Sequence, residues 1–357
     1  MSRIDGVGER PSLFRELINA FRIHLPLIAY ILCYMAALVV VANVQGAGDV
    51  VQFNMYDVLP VGSLIFILAF FLGRILNIAF VERPKGLGRY IASDIWKNIR
   101  ERFPVALPVM IFLPLFMSAF TAFKVLIPVN NPYTWDATFA AMDAFIHGGV
   151  QPWRLTHALI NGPQATFYLN FAYNAWFFTM FVVINWMAFS LEKPRLRMQF
   201  FLSFVATWSL LGSGLGTVLS SVGPCYLERL TGADTYAPLM ERLHMLSAVR
   251  PIWALETQDM LWNAYSSKEV LLGSGISAMP SMHVASALLF ALVGCRSNWV
   301  FGSILSVFFL CILVGSVHLG WHYAVDGYVS IVLTALIWWI VGRLVARLPM
   351  GNPASAG

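Results

Sequence analysis

Eight apolar runs of about the length that crosses a bilayer constrain this chain more than any other feature. A hydrocarbon core about 30 Å thick takes roughly 20 apolar residues of helix. Runs of that kind lie near 26–44, 58–81, 105–128, 166–190, 198–220, 280–295, 299–318 and 322–345. The sixth is short, so its start at Pro280 is expected below the membrane surface. Composition agrees, with 59% hydrophobic residues and only 11% charged, against about 25% charged in soluble domains. The expected fold class is all-α, a polytopic integral membrane protein of about eight transmembrane helices. Cys33, Cys295 and Cys311 fall inside apolar runs and read as small packed hydrophobes, with no disulfide framework.

Orientation follows from the basic residues, which are enriched in cytoplasmic loops. Sixteen of the 23 Lys and Arg lie in the N-terminus, residues 82–104, residues 191–197, the 296–298 turn and the C-terminal end. The alternate loops, 45–57, 129–165, 221–279 and 319–321, hold five, while Arg74 and Lys124 lie within spans. Both termini are therefore expected in the cytoplasm of an inner or plasma membrane type of setting. The apolar run after residue 25 has no small-residue cleavage site, so no cleaved signal peptide is read. The basic stretch from Arg83 to Arg102 could meet anionic lipid, although its role as a topology signal is sufficient.

Two of the alternate loops are long. Residues 129–165 carry Tyr133, Trp135 and Trp153 with Pro132 and Pro152, and residues 221–279 carry Tyr226, Trp253, Trp262 and Tyr265. Both read as semi-apolar interfacial segments, forming a lid near lipid headgroups.

The chemistry concentrates between Ser277 and Asp326. Pro280-Ser281-Met282-His283 heads one apolar run, and Ser316-Val-His318-Leu-Gly-Trp-His322-Tyr-Ala-Val-Asp326 heads another. Ionisable residues at such positions are costly and point to function. His322 and Asp326 are four apart at an expected helix start, hence on one face. A carboxylate there can accept a hydrogen bond from one ring N–H, fixing the tautomer so that the other nitrogen is a nucleophile. Pro280 suits the first turn of a helix, whose free amides, with the Ser281 hydroxyl and His283, would form an anion site. A phosphate held there could be attacked by His322 and have its leaving oxygen protonated by His283. Two histidines and a carboxylate are also a set that zinc accepts.

These residues carry a resemblance. Pro280-Ser281-Met282-His283 followed by His322-Tyr323-Ala324-Val325-Asp326 resembles the second and third signatures of the type 2 phosphatidic acid phosphatase superfamily, and most closely its inositol phosphorylceramide synthase branch. The resemblance implies His322 as nucleophile, His283 as general acid, Asp326 as the residue orienting the nucleophile, and neither metal nor cofactor. It covers spans three to eight and implies a six-helix core over 105–346 containing the loops 129–165 and 221–279. Residues 1–104 would then be a cytoplasmic segment with two accessory helices, and 347–357 a cytoplasmic tail. Two family arginines are missing: Ser316 stands six residues before His322, and Gly223-Pro224-Cys225-Tyr226 replaces the first signature. Arg229, Lys268 or Lys124 are the cations expected to balance the phosphate, with Tyr226, Ser281, Ser316 and His318 as further substrate-binding candidates.

The expected function is a membrane lipid phosphotransferase working at the non-cytoplasmic face. Its partners would be a lipid substrate and a small alcohol, a lipid alcohol or water as acceptor, with no nucleic acid. Transfer to water would make it a lipid phosphate phosphatase. A transporter relaying protons through the histidines would need polar span midpoints, whereas here most are apolar, apart from the Gly212–Gly216 run. That run reads as a close-packing site. A non-catalytic lipid-binding subunit would not need an aspartate behind a histidine.

Overall fold

The computed structural model describes residues 12–271 and 273–349, and in them the chain is helical, with short 3₁₀ and π turns. The expectations for residues 1–11 and for most of the 347–357 tail lie outside the described residues. In chain order the helices are α1 (Leu13–Ile23), α2 (Leu25–Val44), α3 (Val58–Asn77), α4 (Leu87–Val125), α5 (Ile127–Asn130), α6 (Asp136–Ile146), α7 (Pro152–Leu159) and α8 (Pro163–Phe189). They continue with α9 (Pro194–Thr207), α10 (Gly216–Val218), α11 (Pro224–Thr231), α12 (Ala237–Ser247), α13 (Trp253–Ser267), α14 (Met282–Ser297), α15 (Trp299–His318) and α16 (Ala324–Ala346).

Seven segments of the described chain are long and apolar enough to cross a membrane: α2, α3 with its π-helical end, α4, α8, α9 continued to Val218, α15 and α16. α14, the sixth apolar run of the sequence, has 16 residues and falls short of that length, so seven helices of the described residues, not eight, are long enough to cross. The chain is thus a polytopic all-α membrane protein. Residues 82–104, which the charge pattern marks as a loop, are instead mostly helical and continuous with the third span. Residue 104 accordingly lies inside one 39-residue helix. The amphipathic α1 packs on α4, and Arg100 there lies 3.9 Å from Glu16. Arg74 is not left alone in the membrane, because Asp94 and Glu82 both accept from its guanidinium.

Packing is close where residues are small, the usual means by which helices associate in lipid. The hairpin α14–α15 meets at Gly302, where a Cβ would come within 2.8 Å of the Cys295 Cα. At the π turn Trp208–Leu215, a Cβ on Gly212 would lie 2.6 Å from Phe120 Cε2 and 3.1 Å from Met282 Sδ. Helix α2 docks on the same turn through two hydroxyl pairs one helical turn apart: Tyr30 to Ser209 at 2.5 Å and Tyr34 to Ser213 at 2.6 Å. Helix α3 is different, with Ser63 its single buried residue. It lies against α4 and α8 as an outlying wall.

The two long loops fold into helices of their own. α6 and α7 come from the first and α11, α12 and α13 from the second, and together they cover one end of the bundle. Basic residues gather at the other end, where Lys193 donates to the carbonyls of Arg296 and Ser297 and Arg102 donates to that of Phe189.

Candidate active site

The end of α15, the turn after it and the start of α16 place His322. The chain leaves α15 at His318, turns through Gly320 at φ +75° and re-enters helix at Ala324. His322 therefore precedes α16 and is not in its first turn, so its position relative to Asp326 is set by the turn and not by helical repeat. The His322 amide donates to the Ser316 carbonyl at 3.0 Å. Its Nδ1 lies 2.8 Å from the carbonyl oxygen of Ala278 and 3.3 Å from Asp326 Oδ2. Both partners are acceptors, so Nδ1 carries the proton and Nε2 keeps its lone pair. Asp326 Oδ2 also accepts from the Tyr323 amide at 3.0 Å, while its Oδ1 has no partner among the described residues. The backbone carbonyl of Ala278 is thus the nearer orienting group, and the aspartate the second.

His283 lies in the first turn of α14. Ser281 is the N-cap, its Oγ accepting from Val284 N at 3.4 Å. Pro280 therefore sits before the cap and not at the first helical position, after a cis Met279–Pro280 bond. The Ser281 hydroxyl is occupied in capping. The His283 ring packs between Tyr173, at 4.9 Å between centroids, and Trp176, at 4.2 Å. Trp176 is itself anchored by donating Nε1–H to Ser286 Oγ at 2.9 Å. The His283 and His322 rings stand 6.0 Å apart, edge to face, and no hydrogen bond joins them.

Both histidines line a cavity of about 640 Å³. Its walls come from α3, α4, α8 and the Trp208–Gly212 turn, with Leu59, Leu113, Met117, Met180 and Ile184 among the apolar contributors. Along α8 it reaches from Tyr173 to Asn185, about 18 Å at the helical rise. Lys124 is the one Lys or Arg among the described lining residues, and it makes no ion pair with any of them. Tyr226 lines the cavity with its ring, stacked on Trp262, while its hydroxyl donates to the Gln258 carbonyl. Burial raises the pKa of that phenol, so it remains a donor.

Several expected site residues lie elsewhere. Ser316 is 1% exposed and turns its hydroxyl back onto α15, donating to the Leu313 carbonyl; its contribution to the site is its backbone oxygen. His318 faces away from the cavity, stacked on His157 at 3.7 Å with Nε2 3.0 Å from Thr166 Oγ1. Helical repeat places it on the side of α15 toward α7. Arg229 pairs with Asp259 at 2.6 Å and lies over the Trp262 ring. Lys268 is the exposed, left-handed cap of α13. No three His, Cys, Asp or Glu side chains of the described residues form a group suited to a metal ion.

No sequence motif marks the histidine cage of Tyr173 and Trp176, or Asp136 and Asp143 of α6. Their only signal was the presence of two carboxylates seven apart in a semi-apolar loop. A model of the PAP2 superfamily matches residues 137–340, which takes in α6 to most of α16 and leaves out α1 to α5. No curated protein and no solved structure matches the chain.

Proposed function

The chain belongs to the PAP2 superfamily, and from that premise we propose that it is a lipid phosphotransferase using His322 as nucleophile. The observation that carries the proposal is a largely apolar cavity lined by two histidines 6.0 Å apart, one of them with its Nδ1–H held by Ala278 and Asp326. A lipid chain lodged between α3, α4 and α8 brings its phosphate to that end, beside Lys124.

In the first step His322 Nε2 attacks phosphorus and the bond to the leaving oxygen breaks, with His283, which takes up its proton when the phosphate anion binds beside it, giving that proton to the leaving oxygen. In the second step His283 takes the proton of an acceptor hydroxyl, the acceptor oxygen attacks the phosphohistidine, and the P–N bond breaks. Positioning and charge stabilisation supply the acceleration. The acceptor is an alcohol in this proposal, because Ser316 replaces an arginine of the hydrolytic members and the walls are apolar; water as acceptor gives the phosphatase. The basic end of the bundle faces the cytoplasm and the histidine end the opposite side, by the charge rule.

The test uses the purified full chain with lipid phosphates and phospholipids in the presence of a chelator. The expected result is a new phosphodiester with an added alcohol, complete loss in His322→Ala, and a phosphorylated His322 trapped in His283→Ala. Free phosphate as the sole product selects hydrolysis. Full activity in His322→Ala refutes the proposal.

A further inference from the structure

We propose that α6 is a membrane-seated strut that positions His322, with Asp136 and Asp143 as its two positioning residues; the role rests on the function proposed above. These carboxylates are seven residues apart, two turns of helix, and so lie on one face. Both are buried, at 4% and 1% exposure, and neither is paired with a cation among the described residues.

Asp143 accepts from the first two amides of α16, Ala324 N at 2.8 Å to Oδ2 and Val325 N at 2.9 Å to Oδ1. A carboxylate is favoured at a helix N-terminus by the orphan amides and the dipole together. With Asp326 accepting from Tyr323 N, the three consecutive amides that follow His322 are all held by carboxylates. The end of α16 cannot shift without breaking them.

Asp136 acts on the other side of the imidazole. It accepts from Ser221 Oγ at 2.8 Å, Val222 N at 3.1 Å, Gly223 N at 2.9 Å and Tyr323 Oη at 3.0 Å. The turn so held presents the Ser221 carbonyl to the Ala278 amide at 2.9 Å. The Ala278 carbonyl in turn is the 2.8 Å acceptor for His322 Nδ1–H. One helix therefore fixes both acceptors of the nucleophile's ring proton, Ala278 through Asp136 and Asp326 through Asp143. His147, on the same face, adds a 2.9 Å contact from Nε2 to Tyr328 Oη on α16. Opposite the two carboxylates α6 exposes Phe145, and Ile146 is exposed at its C-terminal end, apolar side chains suited to seat the helix in the headgroup boundary.

The test compares kcat and KM of the full chain in detergent for Asp143→Asn, Asp143→Glu and Tyr323→Phe, with thermal midpoints measured alongside. Asparagine offers one acceptor oxygen for two amides, so kcat should fall at least tenfold with KM within twofold. Glutamate should restore part of the loss. Tyr323→Phe removes one bond to Asp136 without emptying space and should lower kcat about threefold at unchanged KM. An Asp143→Asn protein with wild-type kcat overturns the inference while leaving the proposed function standing, provided His322→Ala is inactive. If Asp143→Asn cannot be recovered folded, wild-type kcat in Tyr323→Phe overturns it instead. A KM rise without a kcat change in either variant also overturns it, because a strut on the nucleophile acts on the chemical step.

Discussion

Asp326→Asn separates two accounts of how the nucleophile is held. In the structure Asp326 is the more distant of the two acceptors facing His322 Nδ1, at 3.3 Å against 2.8 Å for the Ala278 carbonyl. Asparagine matches the carboxylate in shape, can still accept from Tyr323 N, and leaves the Ala278 bond in place, so the tautomer with the proton on Nδ1 persists. What is lost is a charge-assisted hydrogen bond and the negative charge beside a ring that becomes cationic on phosphorylation. Such a bond is worth about 1.5–3 kcal/mol. At 1.36 kcal/mol per tenfold in rate, kcat should fall roughly ten- to 150-fold. Single-turnover measurement of phosphohistidine formation reads this directly, because it excludes product release. A loss beyond about ten-thousandfold, approaching that of His322→Ala, would show that the Ala278 carbonyl does not hold the tautomer; a change under threefold would show that Asp326 does not act on the ring. The thermal midpoint controls for any weakening of the cap contact with Tyr323 N.

Lys124→Met should raise KM for an anionic lipid by up to about 100-fold, the loss of one hydrogen bond to a charged group, with Lys124→Arg retaining most of the affinity; an unchanged KM in Lys124→Met would remove Lys124 from the phosphate site. Gly212→Val should overpack the contact with Phe120 and Met282 at a cost of about 1–3 kcal/mol, seen as a lower thermal midpoint and a diminished capacity for lipid; a wild-type midpoint would contradict the close approach. Burial lowers the pKa of His157, which accepts from Arg242 Nε at Nδ1, donates to the His318 carbonyl and stacks on the His318 ring. The unfolded chain then binds a proton below about pH 6.5 that the folded one does not, so stability should fall as pH drops below that value. His157→Gln should flatten this limb of a midpoint-against-pH curve, and an unchanged limb would assign it to another group.

Much of the site was legible because its residues are few and costly in an apolar chain. His283, His322 and Asp326 could be singled out from type and spacing alone, and the structure sets the two histidines in one cavity wall with Asp326 behind His322. Helix-start geometry was read less well. Pro280 precedes the Ser281 cap of α14, and His322 precedes its helix because the local Gly320 turn acts together with the α6 carboxylates, which no local signal announces, to decide where α16 begins. Residues 82–104 carry the charge density of a loop yet are mostly helical, because charge and helical structure are compatible outside the hydrocarbon core.

Hydropathy and charge by themselves determined the apolar helices, the short sixth run among them, and the segregation of basic residues, since the bilayer acts as a solvent on every span separately. Tertiary structure decided which polar residues serve the site. Ser316, His318, Arg229 and Lys268 sit near His322 or in the covering loops by sequence but turn elsewhere, whereas Asp136 and Asp143, some 180 residues before His322, hold it in place. The physical reason is that a side chain's direction is set by which face of its helix meets a neighbour, and that meeting depends on packing between segments far apart in the chain.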